Sequence, residues 1–140
     1  MTAKEHLRSV YEIERRIKRL EYRRQDLVND LYGLRSISLD RDPVQTSQSG
    51  DRMLDAIVKK NEAEADMVHE IARLIEVKQK IMAEIETLPV EKHRQVLFDR
   101  YILCKRWEQI ALEYEKDIRW IYRIHGDALA AFAKKYNFDH

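Results

Sequence analysis

The sequence is poor in helix-breaking residues and in cysteine. Its 140 residues include three glycines, two prolines and one cysteine. So little Gly and Pro, beside abundant Leu, Ile, Glu, Lys and Arg, indicates long helices joined by few turns. The single Cys104 excludes an intramolecular disulfide and a multi-cysteine zinc site. We therefore predict an all-α protein.

Long apolar runs and a strong net charge are also absent. No segment approaches the roughly 18 consecutive apolar residues of a membrane helix, and the N-terminus has no apolar signal region. We expect a protein of the cytoplasm that makes no use of a membrane. The formal net charge is +1, so charge alone does not indicate a nucleic-acid-binding protein.

The common catalytic signatures are missing as well. There is no Gly-rich phosphate loop, no H-E-x-x-H and no G-x-S-x-G. His125 has no second His or Cys at ligand spacing, and Cys104 lacks the partners of a catalytic thiol. We interpret both as packing residues. The sequence favours a protein that is not an enzyme and has no catalytic residues, metal or cofactor.

Two long helices are predicted in the first 87 residues, at about 4–35 and 51–87, with Asp51 as the N-cap of the second. Each carries a seam with alternating spacings of three and four, typical of a helix packed along a partner helix. The polar stretch 36–50 predicts a loop. The seams consist of Val10, Ile13, Ile17, Leu20, Arg24, Leu27, Leu31 and Leu34, and then Leu54, Ile57, Asn61, Glu64, Val68, Ile71, Ile75, Lys78, Met82 and Ile85.

Opposite charge would draw these two helices together. Residues 1–35 contain nine basic and six acidic residues, whereas residues 36–87 contain seven and eleven. Such segments attract each other when they pair. The pairing could be an antiparallel hairpin within one chain or an association between subunits, and the sequence leaves both open.

A second unit is predicted to begin at Leu88-Pro89, because proline disfavours helical geometry in the residue before it. We divide the chain into a helical hairpin, residues 1–87, and a C-terminal domain, residues 88–140. Three further helices are predicted in the domain, at about 90–102, 107–114 and 118–135.

The segment 107–129 has the pattern of a helix-turn-helix. Its turn is Glu115-Lys116-Asp117, and Asp117 is placed to cap the second helix. Apolar spacings of three and four predict one buried side on each helix. The buried residues would be Ile110, Ala111 and Tyr114 on the first helix, and Ile121, Ile124 or His125, Ala128 and Phe132 on the second.

The other side of the second helix predicts a DNA-reading surface. Arg119, Tyr122, Arg123 and Gly126 lie at i, i+3, i+4 and i+7, so they form one stripe. Arginine can donate two hydrogen bonds to a guanine edge, and tyrosine can meet a phosphate or a thymine methyl group. Gly126 would permit close approach to the DNA backbone, or it would reflect close packing against the hairpin or a local kink.

Four further candidates for DNA contact surround this stripe. Trp120 either packs inward or touches DNA sugar and base. The other three are basic residues that can reach phosphates, which position a protein without reading sequence. They are Lys105, Arg106 and Lys116.

The frame of the domain resembles region four of bacterial sigma factors. It opens with Leu88-Pro89 and reaches Arg100-Tyr101, then continues with W-x-x-I-A (107–111) and I-x-x-I-Y-R (118–123). The chain departs from sigma factors because Glu115 replaces the usual turn glycine and no other sigma region precedes the motif.

Three strings resemble a narrower family, the ArpU-like and RinA-like late transcription regulators of Gram-positive bacteria and their phages. They are R-Y-I (100–102), W-E-Q-I-A (107–111) and Y-R-I-H-G-D-A-L (122–129). The resemblance covers nearly the whole chain, since those proteins also begin with two helical segments split by a polar loop. It implies activation of phage or prophage genes, with double-stranded DNA as the partner.

The leading hypothesis is thus a sequence-specific DNA-binding regulator. Its hairpin would either form a homodimer, which sets the spacing of two DNA half-sites, or contact host RNA polymerase. A small terminase-like DNA-packaging subunit is one alternative, since it also joins a helix-turn-helix to helical oligomerisation segments. A helical adaptor that binds only protein is another, and the near-zero net charge favours it.

Overall fold

The structure, a computed structural model, describes residues 1–39 and 47–139. Across these residues the protein is helical and contains no β-strand, which confirms the all-α prediction. No helix in the same ranges has the length and apolarity needed to cross a membrane. The elements are α1 (Ala3–Leu39), α2 (Ser47–Glu86), α3 (Glu91–Leu97) continuing as a π-helical turn (Phe98–Ile102), α4 (Trp107–Glu113) and α5 (Ile118–Tyr136).

Contacts between residues divide the chain into two compact units. One contains Met1–Arg15 together with Ile75–His140, and the other contains Arg16–Leu74. The predicted domain boundary at residues 87 and 88 stays a prediction, because contacts do not measure which parts fold independently.

In the unit of residues 16–74, α1 and α2 run antiparallel. Ile17 and Leu20 of α1 are buried between the helices. Ion pairs follow the same order, since Arg24 meets Glu64 at 3.3 Å and, further along α1, Asp30 meets Lys60 at 3.6 Å. Within this unit the two oppositely charged segments therefore pair inside one chain.

The predicted loop between the two helices is too long at both ends. Helix α1 continues to Leu39 and α2 already begins at Ser47, so only residues 40–46 of the predicted loop lie outside the described residues. Asp51 is inside α2, and its predicted N-cap role is wrong. Adding a residue to the end of an existing helix does not carry the cost of helix nucleation. Polar residues of low helix propensity can therefore extend α1 and α2 at their ends.

The predicted seam of α2 is wrong at four positions, although the predicted Met82 is half-buried and packs against the core. Ile57, Ile71 and Ile85 lie on the packed side, but Val68 and Ile75 are exposed. Leu54 and Asn61 are exposed too. The packed side is completed by Met67, Leu74 and Ile81. Apolar residues are adjacent at 67–68, 74–75 and 81–82, so the sequence allows either member of each pair to face the neighbouring helices. Packing decides which member is buried. On α1 the predicted seam residues from Val10 to Leu20 are buried or half-buried, while the side chains of Leu31 and Leu34 lie outside the described part.

In the other unit, the ends of the first two helices share a core with the C-terminal helices. Buried side chains come from the start of α1, the end of α2, α3 with its π-helical turn, and the second half of α5. Leu7 and Phe132 have no exposed surface, although the predicted seam of α1 begins only at Val10. The core consists of Ala3, Leu7, Val10, Ile81, Ile85, Leu88, Leu97, Tyr101, Ile102, Ala128, Phe132 and Ala133.

A second, smaller core fixes the start of α5 against α4. Ile110, Ala111 and Ile121 are buried at its centre, as the sequence predicts. The half-buried Trp107, Tyr114, Ile118 and Trp120 pack around them. The bounds of α3 with its π-helical turn, α4 and α5 agree with the predicted helices to within one or two residues.

Cys104 ends the π-helical turn with its side chain outward. Its φ of 57° is left-handed, and its side chain is exposed. The interpretation of Cys104 as a packed residue is therefore wrong. A left-handed residue reverses the chain direction at a helix end, which turns this position out of the core.

Candidate nucleic-acid interface

The turn between α4 and α5 is tight and hydrogen-bonded. Glu115 has a φ of 53°, the left-handed conformation that glycine adopts most easily. The Lys116 N–H donates to the Ala111 carbonyl at 3.0 Å, which closes the end of α4. Asp117 then caps α5, because its side chain accepts from the Arg119 N–H at 2.8 Å. This bond lowers the pKa of Asp117, and the predicted capping role is confirmed.

Helix α5 separates a buried side from an exposed stripe. His125 is the buried member of the pair that the sequence left open, and Ile124 is half-buried. Arg119, Tyr122 and Arg123 are exposed on the other side. These positions agree with the faces expected from helical periodicity, while contact with DNA stays a prediction.

Gly126 continues the exposed stripe without any packing constraint. A Cβ atom built at this position would meet nothing within 4 Å. The alternative that Gly126 packs closely against the hairpin is therefore wrong. Because α5 is one unbroken helix across this residue, the structure gives no internal reason for a glycine here.

Two lysine side chains lie close to the ring of Trp120. The ammonium nitrogens of Lys92 on α3 and Lys116 in the turn are each 5.5 Å from the centre of its ring. A cation over an aromatic face is attracted by the ring quadrupole. Lys92 is not among the predicted contact residues, since no spacing in the sequence relates it to a residue in the α4–α5 segment. These lysines add positive charge near the N-terminus of α5, where the helix dipole is also positive.

The two basic residues before α4 differ in their surroundings. Lys105 Nζ lies 2.8 Å from a Glu113 carboxylate oxygen and 3.6 Å from Asp99. The hydrogen bond to Glu113 is the main cause of a raised Lys105 pKa, so its charge is already matched within the protein. Arg106 is exposed at the N-cap position of α4. Arg106 is therefore more available to a phosphate than Lys105.

Arg100 ties the segment before α4 to the π-helical turn. Its guanidinium lies 4.4 Å from the centre of the Trp107 ring, and its Nη1 donates to the Lys105 carbonyl at 3.0 Å. From the same turn, Asp99 accepts a hydrogen bond from the Tyr114 hydroxyl at 2.7 Å. These bonds hold both ends of α4 in place.

His125 connects this network to the core. Its Nε2 shares a hydrogen bond of 2.8 Å with the Tyr101 hydroxyl, and its ring meets Trp107 edge-on at 4.6 Å. Burial, together with the positive charges of Lys4 and Arg100, lowers the pKa of His125 to about 4. The packing interpretation of His125 is confirmed. The three sequence strings that resemble phage regulators thus meet through Tyr101, Trp107 and His125.

The outward side of α4 is acidic and partly apolar. Glu108 and Glu115 are exposed, and Leu112 between them is 79% exposed. Carboxylates repel phosphate, so this surface of α4 is unfavourable for contact with a nucleic acid. In the described part of the chain, no three His, Cys, Asp or Glu side chains are grouped to hold a metal ion.

Comparisons of the chain with protein-family models, with curated proteins and with solved structures find no match. The resemblance to phage regulators therefore rests on the sequence strings alone.

Proposed function

We propose that this protein is a sequence-specific DNA-binding transcription regulator of the phage type. In this proposal α4, the turn and α5 act as a helix-turn-helix like that of sigma region four, and α5 enters the major groove. The observation that carries it is the exposed stripe of Arg119, Tyr122, Arg123 and Gly126, which directly follows a capped turn.

Base reading would come from the first half of α5. In helix-turn-helix proteins the N-terminal residues of the second helix contact base edges. Arg119 and Arg123 are one turn apart and exposed, so both can reach the same groove. Tyr122 stands beside them, 47% exposed, with its ring edge-on to Trp107 at 5.4 Å. A ring supported in this way loses little conformational freedom on binding.

Phosphate contacts would come from the rim of the same surface. Lys92, Lys116 and Arg106 are exposed basic residues from three different parts of the domain. Contacts of this kind fix orientation on the duplex without reading its sequence. The half-buried Trp120 would keep both lysines near the backbone of the DNA.

The resemblance adds the biological setting to this proposal. It favours activation of phage or prophage genes in the cytoplasm of a bacterial host. Host RNA polymerase is then the second partner, and the acidic side of α4 offers a surface for protein contact that DNA would not cover.

A helical adaptor that binds only protein is the second candidate. The exposed Leu112, flanked by Glu108 and Glu115, favours it, because an exposed leucine among carboxylates suits a protein partner better than a phosphate backbone. The two candidates differ in one measurable property, since only the regulator binds duplex DNA through the arginines of α5.

The test selects binders from a duplex pool with a randomised centre and measures their affinity for three proteins. These are the wild type, an Arg119→Ala/Arg123→Ala variant and an Arg19→Ala/Arg23→Ala variant. The control removes the same charge from two exposed arginines that are also four residues apart on a helix, α1. We expect the α5 variant to lose about 100-fold or more in affinity, since each good bidentate arginine contributes about 1–3 kcal/mol.

Salt dependence shows whether the protein contacts the phosphates of the DNA, and the selected sequence shows whether it recognises bases. The affinity of a DNA-binding protein falls steeply between about 50 and 200 mM salt, in proportion to the number of phosphates contacted. We expect the control variant to bind the selected sequence like the wild type. If no sequence is enriched, or if both variants lose affinity equally, α5 is not the reading element and the adaptor becomes the better proposal.

A further inference from the structure

Helix α2 carries a second seam on its exposed side, within the unit of residues 16–74. The spacings along it alternate between four and three, the pattern of a helix that packs along another helix. The large apolar members Leu54, Val58 and Val68 are 63%, 47% and 45% exposed. We define the outer seam as Leu54, Val58, Asn61, Ala65, Val68 and Ala72.

The middle of the outer seam is a shallow groove with small side chains. It has a volume of about 350 Å³ and is lined by Asn61, Glu64, Ala65, Val68, His69 and Ala72. Small residues let two helix backbones approach closely, and a polar residue such as Asn61 can fix the register of a helix pair. The inner side of α2 faces α1 with a different set of residues, so the outer seam is not needed for the hairpin.

The polar and charged residues beside the outer seam indicate which partner helix could pack against it. Along one edge lie Glu62, Asp66, His69 and Arg73, all exposed. If a second copy of α2 packs antiparallel, with Ala65 opposite Val68 of the second copy, Glu62 stands near Arg73 of that copy. The same register places Asp66 near His69. Each pair occurs twice, because the arrangement is two-fold symmetric.

A parallel pair would not use these charges. In a parallel pair the charged edge of one helix faces the opposite edge of its neighbour. That opposite edge contains Ile57, Glu64 and Ile71, which are half-buried on the side of α2 that packs against α1, and Glu64 already pairs with Arg24 of the same chain at 3.3 Å. The charge pattern therefore favours the antiparallel arrangement over the parallel one.

We propose that the outer seam of α2 pairs with the outer seam of a second copy of this chain, antiparallel and about a two-fold axis near residues 65–68. This inference does not rest on the DNA-binding function, since it concerns a different helix and a different partner. If both proposals hold, the dimer presents two copies of α5 to DNA.

The first test measures the self-association of the full chain by sedimentation equilibrium. Val68→Glu puts two charges into the centre of the proposed interface, and we expect the dimer to dissociate at least ~tenfold more readily. The control is Tyr22→Glu, which makes a similar change at a 74% exposed position on α1. We expect Tyr22→Glu to associate like the wild type.

The second test reverses the charge pair. Glu62→Arg and Arg73→Glu each place like charges opposite one another, and we expect each to weaken the dimer by up to ~tenfold. The double variant restores opposite charges and should recover the affinity of the wild type. The two residues are three turns apart on one helix, so recovery cannot come from a contact within one chain.

Four results would overturn the proposal. A wild type that stays monomeric at high concentration removes the dimer. A Val68→Glu variant that associates normally moves the interface to another surface. A double charge variant that stays weak removes the antiparallel register, and a larger ring-shaped oligomer removes the two-fold axis. Circular dichroism checks folding, and should Val68→Glu unfold, the charge variants decide alone because both positions are exposed.

Discussion

Replacing His125 with glutamine should make the free energy of unfolding less dependent on pH in the acid range. His125 is 8% exposed and lies near the positive charges of Lys4 and Arg100, so its charged form is disfavoured in the folded protein. The imidazole has an ordinary pKa of 6.5 and a folded pKa of about 4. Glutamine can still bond to Tyr101 but has no proton to bind in this range.

The sign follows from which state binds the proton. Between pH 6.5 and about 4 the unfolded chain protonates His125 while the folded chain does not, so acid favours unfolding. The stability linked to neutral His125 is complete above pH 6.5 and decreases as the pH falls. Each pKa unit corresponds to about 1.4 kcal/mol, which gives a loss of about 2 kcal/mol by pH 5 and about 3 kcal/mol by pH 4.

The measurement is urea unfolding followed by circular dichroism at several pH values from 7 to 4. We expect the free energy of unfolding of the wild type to fall more steeply than that of His125→Gln. Tyr101→Phe is the matched control, because it removes the hydrogen bond and costs about 1 kcal/mol yet leaves the imidazole buried. The free energy of unfolding of Tyr101→Phe should therefore fall with decreasing pH as steeply as that of the wild type. If wild type and His125→Gln lose stability in parallel, His125 is not the buried neutral group described here.

Three further changes test the turn and the exposed stripe. Glu115→Gly should raise the free energy of unfolding by about 0.5–1 kcal/mol, because relief of the left-handed backbone outweighs the entropy that glycine adds to the unfolded chain; a loss of stability would refute the strain. Asp117→Ala should lower the free energy of unfolding by about 1 kcal/mol because the N-cap is lost, while Asp117→Asn should keep most of the stability that the cap contributes. Gly126→Ala should stabilise the protein by about 1 kcal/mol, since the added methyl group meets open space, and it should weaken DNA binding if the backbone of α5 approaches the duplex. Unchanged affinity for a selected duplex would show that the approach is not that close.

Local sequence determined the secondary structure near the proposed site. The helices around 107–113 and 118–136, the turn between them and the Asp117 cap all follow from interactions within a few residues. Such interactions need no knowledge of the rest of the chain, so periodicity and capping chemistry predict them. The two long helices follow for the same reason, although the predicted ends that face the loop, at residues 35 and 51, fall four residues short of the observed ends.

Tertiary structure decided the rest, because it depends on residues far apart in the chain. Adjacent apolar pairs on α2 allowed two frames, and only packing against α1 showed that Met67 and Leu74 point inward while Val68 points outward. Lys92 approaches Trp120 across 28 residues of sequence, and Lys105 is matched by carboxylates on both sides of it. Neither arrangement leaves a spacing signal, since a contact between distant residues is set by how the helices pack.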